Sequence, residues 1–194
     1  KWMNSKYIAA MDAKVLYGVL KEYYLQHNKN DFAFFENVLS MYPDEYNIAV
    51  IREVQKRLET LADYSTATEF FYKEPEVDTA LLLSEKMGIA DLTQSKEALQ
   101  FGLDILKDPK NVQLHCEVYT SLDGVDTRKP MRDILKDLII PKIAEAGKKN
   151  GQILWPLRVA LTGKEFSPGA FEMTEILGLE KAIARIEKVV AKLA

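Results

Sequence analysis

The sequence predicts an all-α protein on three observations. Apolar residues recur at helical spacing along almost its whole length, alternating strand-like patterns are scarce, and turn chemistry punctuates short helical runs. The spacing shows in Val15, Val19 and Leu20, in Ile48, Ile51, Val54 and Leu58, and in Ile134, Leu135, Leu138 and Ile143. About ten to twelve helices and no sheet are expected from this pattern.

Taken in order, each start has a physical reason. A short polar side chain just before a helix can accept hydrogen bonds from its free N–H groups. On that basis Asp12 opens "AKVLYGVL", Asn30 opens "DFAFFENVL" and Asp63 opens "YSTATEFFY". Pro43 and Asp44 introduce "EYNIAVIREVQKRL", and Thr127 with Pro130 introduces "MRDILKDLI". Adjacent acids such as Asp44 and Glu45 read as first-turn residues favoured by the helix dipole, not as a catalytic dyad. The aromatics of "EYYLQH", "FAFFE" and "EFFYKE" read as core and not as base-stacking platforms: Phe32, Phe35 and Leu39 share a helical face, and Phe70 and Phe71 end a run of otherwise small residues. Two segments combine turn formers with a change of charge, "YKEPEVD" (72–78) and "LDGVDTRKP" (122–130). The first is the preferred boundary and divides the chain into helical subdomains 1–75 and 76–194.

Composition narrows the function classes. A chain of 194 residues can bury a substantial core without staples, and its single cysteine, Cys116, cannot form an intrachain disulfide. His115 beside it reads as incidental, no Cys/His cluster has metal-ligand spacing, and a reducing, cytoplasmic setting is expected. No apolar run approaches the roughly 20 residues of a membrane helix, and "KWMNSKYIAAMD" lacks the shape of a signal peptide, so no membrane partner is expected. The start at Lys1 points to a piece of a longer protein. Net charge is −3, but residues 128–194 hold 13 Lys and Arg against 8 Asp and Glu, net +5, while residues 1–127 hold 13 against 21, net −8. An anionic partner would favour the C-terminal third. Nucleophile elbow, Walker loop, dinucleotide-binding turn and zinc signature are all missing, so no catalytic or metal residue is assigned.

The densest signal is "LWPLRVALTGKEFSPGAFE", residues 154–172. Pro156 suits a first helical turn, Leu157 and Leu161 fall on one apolar face, and Gly163 is a natural left-handed terminator. Ser167 then reads as the N-cap and Pro168 as the first residue of a new helix, with Gly169 and Ala170 too small to cover its N–H groups. Such an end is suited to a phosphate or a nucleobase carbonyl, and the planar guanidinium of Arg158 nearby could stack on a base or grip its edge. The same residues also fit a tight helix–loop–helix in which Arg158 merely caps neighbouring carbonyls.

The stretch "ILWPLRVALTGKEFSPGAFEMTEILGLEKAIARI" resembles the C-terminal signature of bacterial-type glutamyl-tRNA synthetases: P-L-R-x-A-L-T-G, a small-residue-Pro-Gly turn, an apolar helix, then G-x-E-x-A-x-x-R-I. "KWMNSKYIAAMD" resembles that family's W-x-N-x-x-Y-I, and "QKRLETLADYSTATEFFY" resembles R-x-x-T-L followed by an aromatic pair. Together the motifs span residues 2–188, with 73–127 similar only in helical character. The resemblance implies an anticodon-binding region of a class I aminoacyl-tRNA synthetase, two helical subdomains forming a cage around unstacked anticodon bases. Arg158, Ser167, Pro168, Gly169 and Ala170 would line the anticodon pocket, with Arg57 on the facing subdomain. It further implies tRNA(Glu) as partner, with tRNA(Gln) for non-discriminating members, and a cytoplasmic monomer. ATP and magnesium would serve the full-length ligase, and this chain, lacking its ATP-handling signatures, would bind no cofactor and not activate glutamate. Asp63, where many relatives carry Glu, and Leu58 beside Arg57 depart from the family pattern. A helical protein-interaction module without RNA contact is the alternative from another class.

Overall fold

The computed structural model describes residues 2–27, 40–108 and 129–193. The expected helix after Asn30, Phe32, Phe35 and Leu39, the His115–Cys116 pair, Thr127 and most of the 122–130 loop lie outside them. The described residues form nine α-helices and three one-turn 3-10 helices, with no strand and a single isolated antiparallel bridge between Ser84 and Ile89. None of these helices is long and apolar enough to cross a membrane. The chain divides into two compact units, Lys1–Glu74 and Pro75–Ala194.

The first unit contains α1 (Trp2–Ala10), α2 (Ala13–His27), α3 (Asp44–Val54), a 3-10 turn at Gln55–Arg57, and α4 (Asp63–Tyr72). Asp12 caps α2 as expected, its Oδ1 accepting from the N–H groups of Lys14 at 2.9 Å and Val15 at 3.3 Å. Asp63 does not cap α4. It is already the first helical residue, after Ala62, and its carboxylate folds back to accept from the N–H groups of Glu59 at 3.1 Å and Thr60 at 2.8 Å, so it secures the turn before the helix. The buried face of α2 also differs from the expected Val15–Val19–Leu20 stripe. Leu16, Tyr17, Leu20 and Tyr24 are buried and Val15 is exposed. Each tyrosine brings a large apolar ring, and its hydroxyl finds a partner where a β-branched aliphatic offers none. Ile51, Val54, Leu58, Phe70 and Phe71 are buried as the spacing predicts.

The polar side chains around Asn47 in this core pair with one another. Buried Asn47 donates from Nδ2 to the Tyr17 hydroxyl at 3.1 Å and accepts at Oδ1 from Tyr72 at 3.0 Å. With its proton committed to Asn47, Tyr72 accepts from the Tyr64 hydroxyl 3.1 Å away. Burial pushes the pKa of both phenols well upward, reinforced for Tyr72 by neighbouring Tyr64. The folded value of each thus lies above the unfolded value of about 10, so the stability they contribute is present below that pH and lost as pH rises beyond it. Urea denaturation of the chain should give a midpoint that is flat from about pH 7 to 9 and falls above about 10. Tyr72→Phe should lower the plateau and flatten that alkaline fall. An equally steep fall in the variant would assign it to other groups.

The second unit begins with 3-10 turns at Thr79–Leu82 and Glu85–Met87, followed by α5 (Leu92–Lys107), α6 (Met131–Glu145), α7 (Asn150–Thr162), α8 (Ala170–Leu177) and α9 (Leu179–Lys192). Asp91 caps α5, its Oδ1 accepting from the Gln94 N–H at 2.8 Å. On α9 the buried residues Ala182, Arg185, Ile186 and Val189 recur at helical spacing. Arg185 is only 4 % exposed, and its Nη1 donates to the Leu161 carbonyl at 2.7 Å. It thus places a cation at the negative end of α7, where the last carbonyls lack intrahelical partners. Arg132 near the start of α6 pairs with Glu175 of α8 through its Nε. These two contacts fix the end of α7 and the position of α8, the elements that border the candidate site.

Candidate functional site

Helix α7 differs from expectation at its start. It begins at Asn150, with the Gln152 Oε1 accepting from the Lys149 N–H at 2.8 Å, so Pro156 lies inside the helix and not in its first turn. The missing N–H leaves the Gln152 carbonyl without its intrahelical donor. The extra turns matter because they put Leu154 and Trp155 on the helix ahead of Arg158, and Trp155 and Arg158, three residues apart, lie over one another. The Trp155 Nε1–H donates to the Leu81 carbonyl at 2.9 Å, which fixes the indole. The Arg158 guanidinium carbon lies 4.6 Å from the centroid of that ring, and Nη2 donates to the Glu165 carbonyl at 2.8 Å. Stacking on one side and a hydrogen bond at one end hold the guanidinium plane. The bond to Glu165 also satisfies the capping role that the alternative reading gave Arg158.

The stop after α7 is built as its residues predict. Gly163 adopts φ 65° and ψ 16°, its N–H donating to the Val159 carbonyl at 2.7 Å. A Cβ at this position would meet the Glu76 carbonyl oxygen at 2.7 Å, so both the dihedral and the close backbone approach require glycine. Thr162 Oγ1 donates to the Arg158 carbonyl at 2.9 Å and accepts from the Lys164 N–H at 3.2 Å, with the Ser167 hydroxyl also 3.2 Å away.

The restart is two residues later than predicted. Gly169 is the N-cap of α8 and Ala170 its first residue, while the Ser167 hydroxyl donates to the Pro168 carbonyl and caps nothing. Pro168 is buried. With the start moved, Glu172 falls in the first turn, and its carboxylate oxygen lies so close to Gly169 that a Cβ there would collide with it. A carboxylate already at the positive end of α8 disfavours a phosphate at this position and favours a group that carries hydrogen-bond donors.

Between these elements lies a cleft of about 280 Å³, lined by Met87 and Leu154, by the Trp155–Arg158 pair, and by Gly169, Ala170, Phe171 and Glu172. This is near the lower limit of small-molecule pockets, about 300–1,000 Å³, and suits one planar group better than an extended ligand. Its walls are apolar and aromatic, with one guanidinium and one carboxylate as charged groups. Of the expected site residues, the cleft brings together Arg158, Gly169 and Ala170. Ser167 and Pro168 shape the loop beside it. Arg57 belongs to the first unit, where it is exposed at the end of the 3-10 turn and 3.8 Å from Glu53 Oε1. No group of three His, Cys, Asp or Glu side chains that could hold a metal ion occurs among the described residues. Sequence reasoning missed Trp155, Glu172 and Met87. The spacing of Trp155 and Arg158, and the G-A-F-E pattern that places an acid three residues after the cap, were local signals for the first two. Met87 comes from a distant turn and has no local signal.

Residues 20–190 match the family model described as anticodon binding domain. Among curated proteins, the chain is 33% identical to a glutamate–tRNA ligase of Lachnoclostridium phytofermentans and 30% identical to one of Clostridium acetobutylicum. All of this chain is covered in both cases, against 33% and 34% of those proteins, so it spans about a third of their length. Among solved structures, a glutamate tRNA ligase of Elizabethkingia meningosepticum shares the fold with a TM-score of 0.59 at 22% identity, over 100% of this chain and 32% of that one. Glutamate-tRNA synthetase of Elizabethkingia anophelis gives 0.63 at 19% identity, over 98% of this chain and 30% of that one.

Proposed function

The chain belongs to the anticodon binding domain family, and from that premise we propose that it recognises the anticodon of tRNA(Glu) as part of a glutamate–tRNA ligase. The observation that carries this reading is the full-length likeness to the matching third of glutamate–tRNA ligases. The cleft supports it, since a fixed guanidinium, an indole and a carboxylate around a small apolar volume can receive one unstacked base. In this reading Arg158 donates to the edge of the base, and Trp155 holds the guanidinium plane. Arg57 would contribute from the first unit, and the electropositive C-terminal third would attract the phosphates. ATP and magnesium belong to the activation of glutamate elsewhere in such a ligase, acting as a cytoplasmic monomer.

Binding of the chain to tRNA(Glu), tRNA(Gln) and an unrelated tRNA at two salt concentrations tests the reading. Preference for tRNA(Glu), with affinity falling steeply as salt rises, is expected. Equal affinity for tRNA(Gln) would mark a non-discriminating specificity, and equal affinity for all three would defeat anticodon recognition. The chain with glutamate, ATP and tRNA should show only background pyrophosphate exchange. Ala170→Trp should fill the cleft and abolish the preference. Because Ala170 is only 8 % exposed, this change should also lower stability by about 1–3 kcal/mol.

A further inference from the structure

The loop from Gly163 to Gly169 is fixed at almost every residue except at its most apolar one. Arg158 holds the Glu165 carbonyl, the Thr162 hydroxyl holds the Lys164 N–H, and Pro168 is buried. Between these anchors Phe166 is 87 % exposed, the most exposed large hydrophobic residue among those described. Single exposed apolar side chains are common and require no explanation in general. Phe166 differs in its setting. Its neighbour Glu165 provides the carbonyl that orients the cleft's guanidinium, Lys164 beside it is exposed and cationic, and Gly169, three residues on, lines the cleft itself. An aromatic ring displayed beside a one-base cleft by a loop already held in place can stack a second base with little further ordering cost.

We propose that Phe166 is a stacking platform for the nucleotide next to the base held in the cleft, so that the loop binds two successive unpaired nucleotides, one by its edge and one by its face. The inference rests on the reading of the cleft as a base pocket. It assigns the two nucleotides different chemistry. The cleft reads hydrogen-bonding groups, whereas the ring accepts any base, because every base has a π-face.

The test uses the whole chain and an RNA stem-loop carrying the tRNA(Glu) anticodon loop. 2-Aminopurine replaces each loop position in turn, and the protein variants are Phe166→Ala, Phe166→Leu and Phe166→Trp. Phe166→Ala should weaken binding roughly ten- to hundredfold, the range that stacking on one aromatic carries. Its melting temperature should not change, since the ring is exposed. Phe166→Leu should bind as weakly as Phe166→Ala, and Phe166→Trp should bind at least as well as the wild type. One loop position should show 2-aminopurine quenching with wild type that disappears in Phe166→Ala. If Phe166→Ala binds like wild type while the anticodon preference persists, the stacking platform is wrong and the cleft reading stands. Full binding by Phe166→Leu would likewise overturn it, since an aliphatic contact would then suffice. If wild type itself shows no anticodon preference at low salt, the cleft reading fails and the platform with it.

Discussion

Arg158→Ala should reduce discrimination between the natural anticodon and a single-base variant by about 1–3 kcal/mol, the effect of losing an arginine that reads a base edge. Two features of the site make the loss specific. The guanidinium lines the cleft and is oriented by the Trp155 ring and by the Glu165 carbonyl, which together hold its plane. Arg158→Lys should recover little, because an ammonium keeps the charge but loses both the stacked plane and the fork. The measurement is the ratio of affinities for two stem-loops differing at one anticodon base, taken for wild type and both variants. Equal weakening of both RNAs would make Arg158 a phosphate contact. An unchanged ratio and unchanged affinities would leave it as the cap of the Glu165 carbonyl alone, and the base-pocket reading of this cleft would fall.

Gly163→Val should destabilise the second unit by about 3 kcal/mol, combining a left-handed conformation that a β-branched residue tolerates poorly with a collision against backbone. The collision is specific: the added Cβ would meet the Glu76 carbonyl oxygen at 2.7 Å and the Pro75 Cβ at 3.2 Å. Gly163→Asn separates the two causes, since asparagine accepts a positive φ but still carries a Cβ. Urea denaturation of both variants gives the comparison. A cost for Gly163→Asn close to that for Gly163→Val would show that the approach of the Pro75–Glu76 segment dominates, whereas a much smaller cost would assign the effect to the dihedral. A loss below about 1 kcal/mol in both would mean that the segment moves aside, and the glycine would then be dispensable to the fold.

Local chemistry was legible where a residue's role depends on its immediate neighbours. Asp12 caps α2 and Gly163 ends α7 because an N-cap needs only the next three N–H groups and a left-handed stop needs only a missing Cβ. Predictions that depended on where a helix starts were less secure. Asp63, Pro156 and Ser167 each have good local reasons for a terminal role, yet each stands one to six residues from the expected position, because packing extends or delays the helix whenever burial outweighs the preferred start. The buried stripe of α2 shifted for a related reason, since burying two tyrosine rings with satisfied hydroxyls outweighs burying Val15.

By itself the sequence determined that the chain is helical, that an arginine, a stop and a restart lie together near residue 160, and, through its resemblance, which family to expect. Periodicity, left-handed glycine and motif spacing are properties of neighbours along the chain, so no fold is needed to read them. Only the tertiary structure decided what surrounds Arg158. The Leu81 carbonyl that fixes Trp155, the Met87 wall and the Leu161 carbonyl held by Arg185 all come from residues far apart in sequence, and the shift that brings Glu172 to the start of α8 depends on how that helix is packed. A base pocket is defined by groups converging in space, and convergence between distant segments leaves no periodic trace in either of them.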